Sequence, residues 1–348
     1  MTLKALWHGL FGTWYNAFLS LAVIWLLAVW LPPMFHWAIL DAKIAPDPAA
    51  CRASFGACWG FITEKHRLIL FGAYPFDQHW RPLIASMLFV VLLATSCNPR
   101  FWHTSLALGW MLGLTVIFVL MHGGALGLSV VESAMWGGLP LTLILAVFGL
   151  ALAFPIAVLL ALGRRSHLPI IRALCVTFIE LVRGVPLISL LFMASVMVPL
   201  FLPEGITVAK LVRAEIGLII FAAAYSAESV RGGLQALNRG QEEAADALGL
   251  SYFHKTWYIV LPQALRIAIP SITNNFISTF KDTSLVVIIG MFDLLGALKA
   301  GLNDAQWRSF YAEGYLFVAA IYFVFTFSMS KYSQYLERDI ARTAPKPS

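Results

Sequence analysis

The chain has 348 residues, 60% of them hydrophobic and only 12% charged, where soluble proteins average about 25% charged. With 12 Trp, 25 Phe and a mean hydropathy of +0.79, this composition excludes a water-soluble enzyme and a disordered chain and fits an all-α polytopic membrane protein. The formal net charge of +6 falls between apolar stretches, so it reads as membrane topology rather than as a nucleic-acid footprint.

A membrane helix needs about 20 mainly apolar residues. About eight stretches qualify: 14–33, 82–97, 104–121, 139–162, 172–200, 214–231, 264–290 and 314–334. Residues 1–35 carry the first. It is expected to be retained, because Trp25, Trp30 and Pro32-Pro33 stand where a small-residue cleavage site would lie. Residues 36–81 form an outer, interfacial segment. Within it Trp59, Phe61, Ile62, Leu68, Ile69, Leu70 and Phe71 interleave with Glu64, Lys65, His66 and Arg67. That pattern suits an amphipathic helix on the membrane surface, or a cap packed on the bundle. Cys51 and Cys58 lie here and are able to form a disulfide in an oxidising outer compartment. Their spacing matches no zinc site. Cys97 and Cys175 fall in or beside apolar spans and read as small core residues.

Residues 82–130 hold two more helices, turned by Asn98-Pro99-Arg100, with Gly109 and Gly113 offering a small face for close packing. From 131 to 335 five spans surround one long polar loop, 231–263, and a tail follows at 336–348. The short loops set the orientation. Gly163-Arg164-Arg165-Ser166-His167 is basic and reads as inside, while 122–138 has no Lys or Arg and reads as outside. Both termini are then cytoplasmic.

The 240–263 stretch predicts a helix–Gly–helix elbow. Glu242 and Glu243 suit the first turn of a helix. Gly249 suits the left-handed stop position. Ser251 suits the cap of a second short helix reaching Ile259, and Leu261-Pro262 suits the start of the next span. Ala244 and Ala245 permit close approach by another protein, with Leu248, Leu250, Phe253 and Trp257 as apolar knobs; a loop resting on lipid head groups is the plainer reading.

The string Glu243-Ala244-Ala245-x-x-x-Gly249-(nine residues)-Ile259-x-Leu261-Pro262 resembles the EAA loop of ABC importer permeases. Residues 180–187, Glu-Leu-Val-Arg-Gly-Val-Pro-Leu, resemble the "ELxRGTPL" segment of polar amino-acid permeases, with Val185 in place of Thr. Residues 274–285 resemble "NQFISLLKDTSL", and 227–233 resemble "AEIVRGG" of the same family. The resemblance implies a type I ABC importer transmembrane domain with a five-helix core plus about three N-terminal helices. The longer N-terminal part looks like that of general L-amino-acid permeases, in the M-type role of a heterodimeric pair. It further implies that the loop docks on a cytosolic ATPase dimer, which holds ATP and Mg. A periplasmic binding protein then delivers an L-amino acid, and a second permease subunit completes the pathway in the bacterial inner membrane. The chain has no GxxxxGK[ST], HExxH or GxSxG sequence and no paired-His cluster, so no cofactor, metal or catalytic centre of its own is expected. An ion-coupled secondary amino-acid transporter is the alternative.

Charges inside a membrane are functional suspects by default. Glu180 and Arg183, three apart, share a helix face and are placed to neutralise each other. Gly184 and Pro186 should break the helix there, and broken helices at membrane depth line cavities or lie buried in protein. The segment reads as a pathway or gate, or as a self-paired kink. Asn274, Asn275, Lys281, Asp282, Thr283 and Ser284 form a second polar group, with Lys281 a candidate for a substrate carboxylate or for a snorkelling structural role. Glu228 reads as structural or gating.

Overall fold

The computed structural model describes residues 3–203, 205 and 207–343. Those residues are overwhelmingly helical, with two isolated bridges and no strand among them. They fall into two compact units. One comprises residues up to 66 together with 302–317; the other comprises 67–301 and the chain from 318 onward.

In the first unit α1 (Leu3–Phe11) leads into α2 (Trp14–Phe35). No residue of α2 is buried. A helix apolar on all sides is one that meets lipid. After a π-turn at 36–40, Asp47 caps α3 (Pro48–Arg52) by accepting from the Ala49 and Ala50 N–H groups at 2.9 and 3.2 Å. Cys51 and Cys58 are joined in a disulfide. The Cys58 N–H donates at 2.7 Å to the buried Glu313 carboxylate, and Lys65 pairs with Asp304 at 2.9 Å. The amphipathic stretch is α4 (Gly60–Phe71), and its Phe61 is fully buried, 5.9 Å from the Trp307 ring. Within this unit the stretch is thus packed against residues 302–317.

The second unit continues with α5 (Trp80–Ser96), α6 (Thr104–His122), α7 (Gly138–Arg164), α8 (Pro169–Gly184), α9 (Leu187–Leu200) and α10 (Lys210–Gln235). Then come α11 (Arg239–Ala247), α12 (Tyr252–His254), α13 (Leu261–Asp282), α14 (Leu294–Leu302) and α15 (Tyr311–Thr343), the last beginning in the first unit. α10 packs along α7 and α13 through a stripe of buried Ala222, Ala223, Ala227 and Gly233. A Cβ at Gly233 would strike the Ala264 carbonyl, so small residues are what let the backbones approach. Gly113 likewise seats Leu92 of α5, whereas nothing lies against Gly109. A buried polar node closes one end: Asp293 accepts from the Tyr322 hydroxyl and the Gly296 N–H, each at 2.9 Å.

Three expectations change. The 172–200 span is not one helix: α8 and α9 meet at 103°. Val185 is extended because the Pro186 ring excludes the helical conformation of the residue before it. The 264–290 span ends as an α-helix at Asp282 and continues as a 3₁₀ segment, 283–289, closed by Gly290 at φ +74°. Cys97 is exposed and Cys175 half-buried, so neither is a core residue. The end of the tail, 344–348, lies outside the described residues.

Candidate functional site

The elbow forms where the sequence places it, with a different cap. Asn238 stands ahead of α11 and its side chain accepts from the Gly240 N–H at 2.9 Å. The far end is a Schellman motif: Leu250 N–H donates to Ala245 C=O and Gly249 N–H to Asp246 C=O, at 3.2 and 2.9 Å. Gly249 sits at φ +70°, which only glycine adopts freely. Ser251 caps the next turn through the His254 N–H. That turn does not stop at Ile259. α12, a π-turn over 255–260 and α13 run on without a break from Tyr252 to Asp282. Pro262 has no N–H and its ring crowds the carbonyl four residues back. The helix widens just before it, with Leu261 N–H reaching Thr256 C=O.

The elbow's surface divides in two. Glu243, Ala244, Leu248 and Gly249 are exposed, Leu248 to 79%, with Phe253 and Trp257 beyond them. Ala245 faces the other way and is buried, so it cannot meet a partner; its small size serves the packing of α11 on the π-turn. Leu261 is buried among Ala227, Val230 and Leu234, Ile259 is half-buried and Pro262 exposed. Ion pairs tie the elbow to its surroundings: Lys255 with Asp246 at 2.7 Å, and Arg165 of the short inner loop with Glu242 at 2.8 Å.

One residue along, Arg164 opens a larger network. It contacts Glu180 of α8 and Glu228 of α10, both at 2.9 Å. Arg231 takes both oxygens of Glu228, at 2.7–3.1 Å. Arg183 stands 3.6 Å from Glu228 and 5.4 Å from the Tyr225 ring centroid. Glu180 and Arg183 thus do not pair with each other. Sharing a helix face leaves them free to reach α7 and α10, and both do. The plain self-paired reading of Glu180 and Arg183 is corrected, and Glu228 is the hub.

Beside this hub lies a cavity of about 340 Å³, lined by Arg183, Tyr225, Ser229, Ser271 and Asn275 among others. Asn275 donates to the Ser229 hydroxyl at 2.9 Å, and the Ser229 and Ser271 hydroxyls are 2.7 Å apart. Of the second predicted polar group only Asn275 lines this cavity. Asn274 is exposed. Lys281, Asp282, Thr283 and Ser284 sit at the far end of α13, where Thr283 is buried and donates to Phe280 C=O at 2.8 Å. Gly184 and Pro186 form the α8–α9 corner. Sequence reasoning missed Arg164, Tyr225 and Arg231. The spacing of Glu228 and Arg231 at i, i+3 was the available signal. Among the described residues no group of His, Cys, Asp and Glu is placed to hold a metal.

Residues 153–342 match the model of the binding-protein-dependent transport system inner membrane component family. Similar proteins include the inner membrane amino-acid ABC transporter permease protein YhdY of Escherichia coli, 48% identical over 336 residues, covering 95% of this chain and 90% of that one. Another is the glutamate/glutamine/aspartate/asparagine transport system permease protein BztC of Rhodobacter capsulatus, 37% identical, covering 97% and 92%. A crystal structure of an amino acid ABC transporter with histidines is 31% identical, with a TM-score of 0.51 over 57% of this chain and 90% of that one. The chain belongs to this family of inner membrane components. It is therefore an ABC importer permease, the membrane part of a system that works with a separate ATPase and a binding protein. Nothing in these likenesses supports an ion-coupled secondary transporter.

Proposed function

We propose that this permease carries L-amino acids inward, and that the exposed face of the elbow is where the ATPase docks. The observation that carries the docking reading is the division of the elbow, with Glu243, Ala244, Leu248 and Gly249 outward and Ala245 and Leu261 anchored inward. The amino-acid reading rests on the names of the relatives and on the ELxRGTPL-like and KDTSL-like segments. Both termini are cytoplasmic, residues 131–335 form the permease core, and a related second permease completes a heterodimer. ATP and Mg belong to the ATPase, and the binding protein delivers from the periplasmic side.

The mechanism follows from the ion pairs. ATP-driven closure of the ATPase dimer displaces α11. Glu242 pulls on Arg165, and adjacent Arg164 holds Glu180 on α8 and Glu228 on α10. The elbow is thereby linked to the helices flanking the cavity, which open alternately to either side. Exposed ion pairs of this kind contribute about 0–1 kcal/mol each, so they re-form easily during a cycle. Reconstitution of this chain with its ATPase, second permease and binding protein in vesicles tests the reading. ATP-dependent accumulation of an L-amino acid is expected; uptake that follows an ion gradient and ignores ATP would refute it.

A further inference from the structure

We infer that Arg183 is the residue in this membrane domain that grips the carboxylate of the passing substrate. The inference rests on the amino-acid reading above and names the group of the substrate that this cavity takes. Three guanidinium groups, of Arg164, Arg183 and Arg231, share two carboxylates, of Glu180 and Glu228. One positive charge is left over, and its place is fixed by the distances. Arg231 holds both Glu228 oxygens and Arg164 bridges Glu228 to Glu180, all within hydrogen-bond range. Arg183 makes no hydrogen bond: its approach to Glu228 is 3.6 Å, and its buried Nε has no partner.

An arginine always remains charged and presents five donors in a fork that matches a carboxylate. Leaving such a group without hydrogen bonds between membrane helices is costly. A carboxylate entering the cavity would supply what the protein does not, in bidentate form. The surroundings suit that anion. The Tyr225 ring backs the guanidinium, Ser229, Ser271 and Asn275 bring hydroxyl and amide groups to the same space, and Glu228, the carboxylate that also lines the cavity, is held by Arg164 and Arg231. Arg183 also sits two residues before the α8–α9 corner, where any change in the bend moves its side chain relative to α10. Lys281, the cation singled out from sequence, is exposed and away from this cavity.

The test uses the assembled permease pair with its ATPase in lipid nanodiscs, without the binding protein, so that the membrane site alone is read. Binding of the twenty standard L-amino acids is measured by equilibrium dialysis, and the amino acid bound best is compared with its α-carboxamide. The wild-type complex should prefer the acid over the amide by roughly 10- to 100-fold, the range of a charge-assisted hydrogen bond. Arg183→Gln should lose that preference, and Arg183→Lys, which keeps the charge but not the fork, should retain part of it. Assembly is read separately, from co-elution of the permease pair with its ATPase on size exclusion and from the thermal midpoint of the complex. Arg183→Gln with the preference intact overturns the inference. If Arg183→Gln fails to assemble, Arg183→Lys decides, and wild-type affinity and preference in that variant overturn it as well. A wild-type complex that binds none of the twenty refutes the amino-acid reading itself, a different result from a wild type that binds and an Arg183 variant that binds equally well.

Discussion

The segment around Cys51 and Cys58 in the first unit and the elbow of the second are both short, polar and irregular, yet they are held by opposite means. Around Cys51 and Cys58 the fastening is covalent and buried: a disulfide, a fully buried Phe61, and a Glu313 carboxylate, 5% exposed, receiving the Cys58 N–H. Around Gly249 it is exposed and ionic: Arg165 with Glu242 and Lys255 with Asp246, each with at least one half-exposed partner. A disulfide in a small loop is worth about 2–4 kcal/mol, whereas an exposed ion pair is worth about 0–1 kcal/mol. The first arrangement costs more to displace than the second.

The sharpest way to break this contrast is at Gly249. Gly249→Asp should abolish uptake in reconstituted vesicles while the chain still inserts and keeps its thermal midpoint within a few degrees. No atom lies within 4 Å of a Cβ added there, so the internal penalty is only the positive φ, about 1 kcal/mol, and the new side chain projects from the exposed face of the elbow. Normal uptake by this variant would remove the elbow from the mechanism. Next in size, Glu228→Gln should lower the thermal midpoint of the purified complex, because it leaves Arg231 with Gln235 and Arg164 with Glu180 alone; breaking a partly buried pair from one side costs up to about 3–5 kcal/mol, and less here because both arginines keep a second partner and are partly exposed. An unchanged midpoint would show that the network is dispensable for stability.

In the first unit, Cys51→Ser should cost about 2–4 kcal/mol, seen as faster proteolysis of the segment around 51–58 with uptake retained. Smaller still, Arg165→Gln should leave the midpoint almost unmoved yet raise the ATP hydrolysed per amino acid carried, and restoration of tight coupling in the charge-exchanged pair Arg165→Glu with Glu242→Arg would locate the link. The smallest effect concerns acid. The Lys65 ammonium beside Asp304, with the Gln306 N–H, holds that carboxyl below the ordinary carboxylate range. Its contribution is present above the unfolded carboxyl's pKa and is lost as pH falls through the lowered folded value. Hydrogen exchange of residues 302–310 should therefore quicken only in strongly acidic buffer, and Asp304→Asn should remove that dependence.

Most of the helices were legible because period and length determine them: α2, α5, α6, α7 and α10 have ends within a few residues of the apolar runs, whereas α13 stops eight residues short and α15 runs nine residues past its run. Among the described residues four helices, or five with the bent α8–α9 pair, are long and apolar enough to cross a membrane, fewer than the eight stretches expected. The stop at Gly249 and the break at Gly184–Pro186 were legible because single residues enforce them. Partners distant in sequence were not. Nothing in the helix rule for Glu180 and Arg183 can reveal that Arg164 and Glu228 stand nearer, since that depends on how α7, α8 and α10 cross. Ala245 was misplaced for a similar reason: adjacent alanines look alike in sequence, and only the 100° step between them leaves Ala244 exposed and turns Ala245 against its own chain.

The unbroken helical run from Tyr252 to Asp282 makes the elbow one end of a long rod. Thirty-one residues at about 1.5 Å each span roughly 46 Å, from the elbow at Tyr252 to the start of the 3₁₀ segment at Asp282. Ala264 and Ala268 lie against Gly233 near the middle of that rod. A rod held near its centre has nearly equal arms, so a tilt of about 5° about that contact would move either end by about 2 Å. A displacement of the elbow would thus reappear at the Asp282 end at about equal size and in the opposite sense, with no helix needing to unfold.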